Sequence, residues 1–185
     1  MPVDRYNEWK DEFPDFKPNL TPKKVMMMGS FGTTYWRPIY SSVTGKNHKN
    51  RHKKFNFFDD VPDDLMTTPW EDYDKDSNKY GVRAGSTLQE WEDKGWINAQ
   101  DPYGHYEWYC NFYDGRRSSD DRRQVDRWVN TAGPNSRFRK RLINMIIDKN
   151  KMWNDESVSP VIRQTLQHWY VKITPGDVER VRRAI

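Results

Sequence analysis

Aliphatic side chains are scarce in this sequence. Leu, Ile and Val together number 25 of 185 residues, fewer than the 27 rings supplied by eight Phe, nine Trp and ten Tyr. A core built from this chain must rest mainly on rings, whose indole and phenol donors need partners. Cysteine is almost absent. Cys110 stands alone, which excludes an internal disulfide framework or a cysteine zinc cluster and is compatible with a reducing compartment. No window approaches the ~18 apolar residues of a membrane-crossing helix, so no membrane partner is expected. No cationic start runs into an apolar stretch, so no secretory signal is read. The expected location is intracellular, in a host cytoplasm or nucleus, or in a virion.

Catalytic signatures are missing as well. Gly45-Lys46 is followed by Asn47, and Tyr40 stands where a phosphate-binding loop needs glycine. There is no H-E-x-x-H, G-x-S-x-G or C-x-x-C. His48 and His52 have metal-ligand spacing but lie in a run of five cations, which would repel a metal, so no metal site is expected. Cys110 shares a helix face with Tyr106 and Tyr113 and reads as a small buried hydrophobe. No cofactor is implied, and no reaction is named.

What is present is asymmetric charge. Residues 1–115 carry 15 Lys and Arg against 19 Asp and Glu, whereas 116–185 carry 16 against 8, a net +8. Such a split points to an anionic partner for one face, or to basic helices packed on the acidic half of the same chain.

The pattern of elements is mainly α. Residues 1–20 are polar, contain Pro14 and Pro18, and read as an extended arm ahead of a single domain, 21–185. Thr21-Pro22 starts a short helix that ends at Gly29. Thr33–Tyr40 is the best strand, confined to an edge by Pro38. Residues 46–54 and 59–76 read as charged loops anchored by Phe55, Phe57, Phe58, Leu65, Trp70 and Tyr73. Ser86 with Gln89 fits a capping box for a helix stopping at Gly95. Asp101-Pro102 opens a helix to Gly115 that is apolar on more than one side, the mark of a central helix. Ser119, Ser136, Ser159-Pro160 and Thr174-Pro175 start the rest. The expected architecture is one helical domain with an irregular, aromatic-rich N-terminal third and at most one short edge strand or hairpin.

Two basic clusters carry the candidate site. Gly115-Arg116-Arg117 lies between two helices, where guanidinium groups and a helix N-terminus could hold an anion. Arg122 and Arg123 join them as phosphate contacts at that helix start, while Asp120 and Asp121 oppose this and could instead pair with the loop arginines in a salt-bridge network that locks the turn. Arg137, Arg139, Lys140 and Arg141 crowd the start of the next helix as a phosphate-facing row, with Arg163 and His168 as secondary contacts. Tyr35-Trp36-Arg37 and 53–58 interleave rings with cations, a texture that suits single-stranded nucleic acid. Packing is the competing role for those rings, because few leucines are available.

Several strings together resemble an uncharacterised family of proteins from large DNA viruses, tailed phages, algae and fungi. They are Phe31-Gly32-Thr33-Thr34-Tyr35-Trp36-Arg37-Pro38-Ile39, the block from Trp108-Tyr109-Cys110 through Gly115-Arg116-Arg117 and Asp120-Asp121 to Gln124, and Ser159-Pro160-Val161-Ile162-Arg163-Gln164-Thr165-Leu166 with His168-Trp169. The resemblance covers about residues 15–170. It implies a viral or virus-exchanged setting and brings no established activity. The chain departs from the pattern at His105, where the family carries Trp, so His105 is not expected to be a general catalytic residue.

Three functions remain open. The first is a nucleic-acid-associated protein that grips the phosphate backbone of DNA or RNA through its basic helical face, with Arg37 and the two clusters as contacts. The second is a structural or assembly protein, such as a minor virion component with other virion proteins as partners. The third is an enzyme acting on a nucleotide or base through Tyr35, Arg37, Arg116, Asp120, Asp121 and Gln124.

Overall fold

The computed structural model describes residues 1–185. Its α-helices are α1 (Pro22–Met28), α2 (Leu88–Asp93), α3 (His105–Tyr113), α4 (Asp121–Ala132), α5 (Arg137–Asp148), α6 (Pro160–Gln167) and α7 (Pro175–Ala184), joined in the N-terminal half by short 3-10 turns. The only sheet is an antiparallel hairpin, β1 (Ile39–Ser41) and β2 (Lys46–His48), with Tyr40 opposite Asn47. The mainly α expectation, with one hairpin and an irregular N-terminal third, matches this architecture.

Helix α3 is the axis of the fold. Eight of its nine residues are buried, so it needs apolar character all round. Its polar tips are answered one by one. Tyr106 donates to the Pro22 carbonyl, Tyr109 to the Leu20 carbonyl at 2.8 Å, and Trp108 Nε1 to Asp121 at 2.9 Å. Asp101 and Pro102 do not open this helix. It begins after Gly104, because the buried Asp101 carboxylate is spent on Asn111 and Arg116. The Glu107 side chain instead reaches back to accept the Tyr103 N–H at 3.1 Å.

Residues 1–20 are not an extended arm. Val3, Trp9, Phe13, Phe16 and Leu20 join the same core cluster as α3 to α7. Phe16 is the hub of that cluster, with ring centroids of Trp9, Trp108, Tyr109, Phe112 and Trp128 all 5.2–5.7 Å away. The whole surface is 9660 Å², close to the ~9,400 Å² expected for a compact chain of this mass, which leaves no room for a free arm. The sequence pattern missed this segment because its rings are spaced by turns and have no helical or strand period.

In the C-terminal part Ser136 and Thr174 cap as their positions announce, whereas Ser119 lies outside α4, which begins at Asp121, and Ser159 precedes α6 without a side-chain cap bond. Ser136 accepts from Arg139 N–H, and Thr174 with Asp177 forms a complete capping box. Helix α5 packs on α4, α6 and α7. The expected strand from Thr33 shrinks to Ile39–Ser41 because Phe31, Gly32 and Thr33 all have positive φ, 57°, 58° and 68°. This left-handed turn cannot belong to a strand. Gly32 is required there, since a Cβ would meet the Tyr73 ring at 2.4 Å.

Candidate functional site

Beside α3 lies a cleft of about 650 Å³, in the size range of small-molecule sites. It is assembled from stretches far apart in the chain. Phe31 to Arg37 form one part, and Trp70, Tyr73 and Arg83 the next. Helix α2 with Trp91 and Trp96 adds a wall. Tyr103, with His105 and Tyr106 of α3, supplies the floor, and Arg127 of α4, Phe138 of α5, and His168 and Trp169 just after α6 close it. The left-handed turn at Phe31–Thr33 aims Phe31 into this space. Phe31 stacks on His168 with centroids 4.1 Å apart, and its N–H donates to His168 Nε2 at 3.0 Å.

Three arginines line the cleft, and none has a carboxylate partner. Arg37 lies over the Trp70 ring at 5.1 Å and donates only to the Thr34 carbonyl. Arg83 sits over Tyr73 at 4.1 Å and over Trp70 at 5.5 Å. Arg127 lies near Trp96 at 5.3 Å and Trp169 at 5.5 Å, and donates to Gln124 Oε1. Burial draws the Arg127 guanidinium down to about 10, with Arg123 adding to the effect, so it remains a cation at neutral pH. A desolvated cation without a counter-charge is costly, and an anion entering the cleft would relieve that cost. The one carboxylate on the lining, Glu90, is exposed.

The two cleft histidines are neutral. Burial pushes His168 down to about 3 and His105 well below its ordinary value. Gln164 sets the His168 tautomer. Its Oε1 accepts the Tyr80 N–H, so its amide nitrogen is the group facing His168 Nε2 at 2.9 Å. Nε2 is therefore an acceptor, and the ring proton sits on Nδ1, which has no protein partner. His168 offers one uncharged donor rather than the charged phosphate contact expected of it. His105 is spent between the Tyr170 hydroxyl at 2.7 Å and the Gln124 carbonyl at 2.8 Å.

The residues singled out from the sequence scatter. Arg116 makes a two-pronged contact with buried Asp101 at 2.8 and 2.6 Å. Arg117 covers the Phe112 ring at 3.8 Å. Arg122 pairs with Asp15 and Asp126, and Arg123 with Asp120. Asp121 holds the Ser118 N–H and Trp108. Salt bridges and hydrogen bonds thus lock the turn, and it is not an open anion site. Arg139 leaves the expected row: it is buried, donates to the Ala132 carbonyl and faces Asp177. Arg163 is buried against the Val158 and Trp153 carbonyls. Arg137, Lys140 and Arg141 stay exposed without partners. Arg37 alone of the named arginines reaches the cleft, and Asp120 and Asp121 do not line it.

No family model, no curated protein and no solved structure matches this chain. The cleft therefore rests on its own geometry. Sequence reasoning missed Arg83, Arg127, Trp91 and Trp96, and used Trp70 and Tyr73 only as loop anchors. One signal was legible for Arg127. It has no acid three or four residues away on its helix, whereas Arg122 has Asp126 and Arg123 has Asp120.

Proposed function

We propose that the protein binds nucleic acid by drawing an unstacked base and its phosphate into the aromatic cleft. The observation that carries this reading is the set of three carboxylate-free arginines laid on the rings of one 650 Å³ cleft. Rings take a base face at ~1–3 kcal/mol each without regard to sequence. Guanidinium groups take phosphate in two-pronged contacts. The neutral His168 Nδ1–H adds one donor for a base acceptor or a sugar oxygen.

The enzyme arrangement considered from the sequence is not assembled, since Asp120, Asp121 and Gln124 hold internal partners away from Arg37. The viral or phage setting implied by the resemblance goes with this proposal. The virion alternative is tested by probing purified particles for the chain.

The direct experiment is tryptophan fluorescence titrated with thymidine and uridine oligonucleotides at two salt concentrations. Saturable quenching that weakens at higher salt is expected. Arg83→Gln, at an exposed position, removes one charged contact of ~1.5 kcal/mol and should weaken binding about tenfold. Unchanged affinity in Arg83→Gln and Arg37→Gln together would refute the cleft as the site.

A further inference from the structure

The cleft lining reaches the edge of a basic helix face at Phe138. Phe138 is both a lining residue and 40% exposed, and it belongs to α5. With Phe138 set at zero on the helical wheel, the inward residues Leu142, Ile146, Arg139 and Ile143 fall between about +40° and +140°. Arg141, Arg137 and Lys140 fall at about −60°, −100° and −160°. Phe138 is therefore the boundary post between the buried stripe and three exposed cations, with Arg141 next to it.

Those cations are arranged at a cost. Arg137 and Arg141 are four residues apart, where like charges repel. No acid stands three or four residues from Arg137, Lys140 or Arg141, and none of the three makes a salt bridge. The nearest helical acid, Asp148, is at the far end of α5. The paired arginines elsewhere show that carboxylates are supplied where the fold needs them, as for Arg122 and Arg123. A row of unrelieved cations continuous with an aromatic, cationic cleft matches a polymer that carries a charge at every step and an exposed base.

We propose that the base held in the cleft belongs to a single-stranded polynucleotide, whose following phosphates leave past Phe138 over Arg141, Arg137 and Lys140. This rests on the reading of the cleft given above and extends it from a nucleotide unit to a strand. A paired duplex is excluded as the preferred ligand, because its bases are stacked away from the cleft rings.

The test compares thymidine and uridine monophosphates, single-stranded 12-mers of each, and a 12-base-pair duplex. The full-length wild type, the triple variant Arg137→Gln/Lys140→Gln/Arg141→Gln and the cleft variant Arg37→Gln/Arg83→Gln are titrated, with circular dichroism to confirm folding. The wild type should bind both single-stranded 12-mers at least tenfold tighter than the monophosphates and the duplex. In the triple variant, 12-mer affinity should fall about tenfold or more, and the salt slope should drop by about 2, from three lost contacts at ~0.7 each. Monophosphate affinity should change less than twofold. Equal 12-mer affinity in wild type and triple variant overturns the exit over α5 while leaving the cleft intact. Undiminished binding of every ligand by the cleft variant overturns the cleft reading and the strand proposal with it. Tighter binding of duplex than of single strand overturns the strand.

Discussion

Arg116 and Arg127 belong to the same basic stretch and meet opposite surroundings. Arg116 closes a two-pronged bridge on Asp101, whose carboxylate is fully buried. Arg127 lies among tryptophans with no acid. Arg116→Ala leaves a buried charge unpaired and should cost ~3–5 kcal/mol. Urea unfolding should show that loss, while nucleotide affinity measured below the transition stays unchanged. The histidines give a second residue-scale outcome. His105 and His168 are depressed in the fold, His168 to about 3, from an ordinary value of 6.5. The unfolded chain binds protons at these sites below about pH 6.5 and the native chain does not. Their contribution to stability is therefore complete above that pH and is lost as pH falls, by ~1.4 kcal/mol per unit for each histidine. His168→Gln keeps an acceptor for the Phe31 N–H and should flatten the wild-type slope between pH 6 and 4 by one proton. An identical slope in the variant would show that His168 takes up a proton in the native state.

At the scale of elements, one backbone carbonyl gathers several of the ties between the N-terminal third and α6. Gly29 O accepts from Gln164, Gln167 and the Lys79 N–H. Its φ is +95°, and a Cβ there would meet the Ser77 carbonyl oxygen at 1.9 Å. Gly29→Ala should therefore destabilise by at least ~2 kcal/mol, read as a lower thermal midpoint. Helix α2 is the contrasting element. It buries no residue, and its ties include Ser42 N–H to Glu92 and the Thr87 cap. It also contributes Leu88, Glu90 and Trp91 to the cleft wall. Amide exchange in Leu88–Asp93 should be far faster than in His105–Tyr113, and an occupant of the cleft should slow it.

For the whole molecule, the deciding feature is that the first twenty residues complete the core. Phe16 and Trp9 are nearly inaccessible and touch α3 and α4. Removing residues 1–20 takes five core side chains from a domain whose net stability is only ~5–15 kcal/mol, at ~2–5 kcal/mol for each large one. The truncated chain should show no cooperative unfolding transition and should lose its near-ultraviolet aromatic signal. A cooperative transition in that truncation would make the segment a dispensable cover. No helix is long and apolar enough to cross a membrane.

Local chemistry was readable from the sequence by itself. Thr21, Ser136 and Thr174 cap the helices they announce, Gly29 ends the first, and α3 is central because its apolar positions surround it. These depend on residues within a turn or two of one another, so spacing suffices. The tertiary structure decided everything that depends on partners far apart in the chain. It committed Arg122 to Asp15, Arg51 to Glu107 and Arg139 to Asp177, and left Arg37, Arg83 and Arg127 with none. It also brought rings from residues 31, 70, 96 and 169 around one cleft. Free charge and enclosed volume are properties of that three-dimensional pairing, because a cation is available to a ligand only when the folded chain has placed no carboxylate against it.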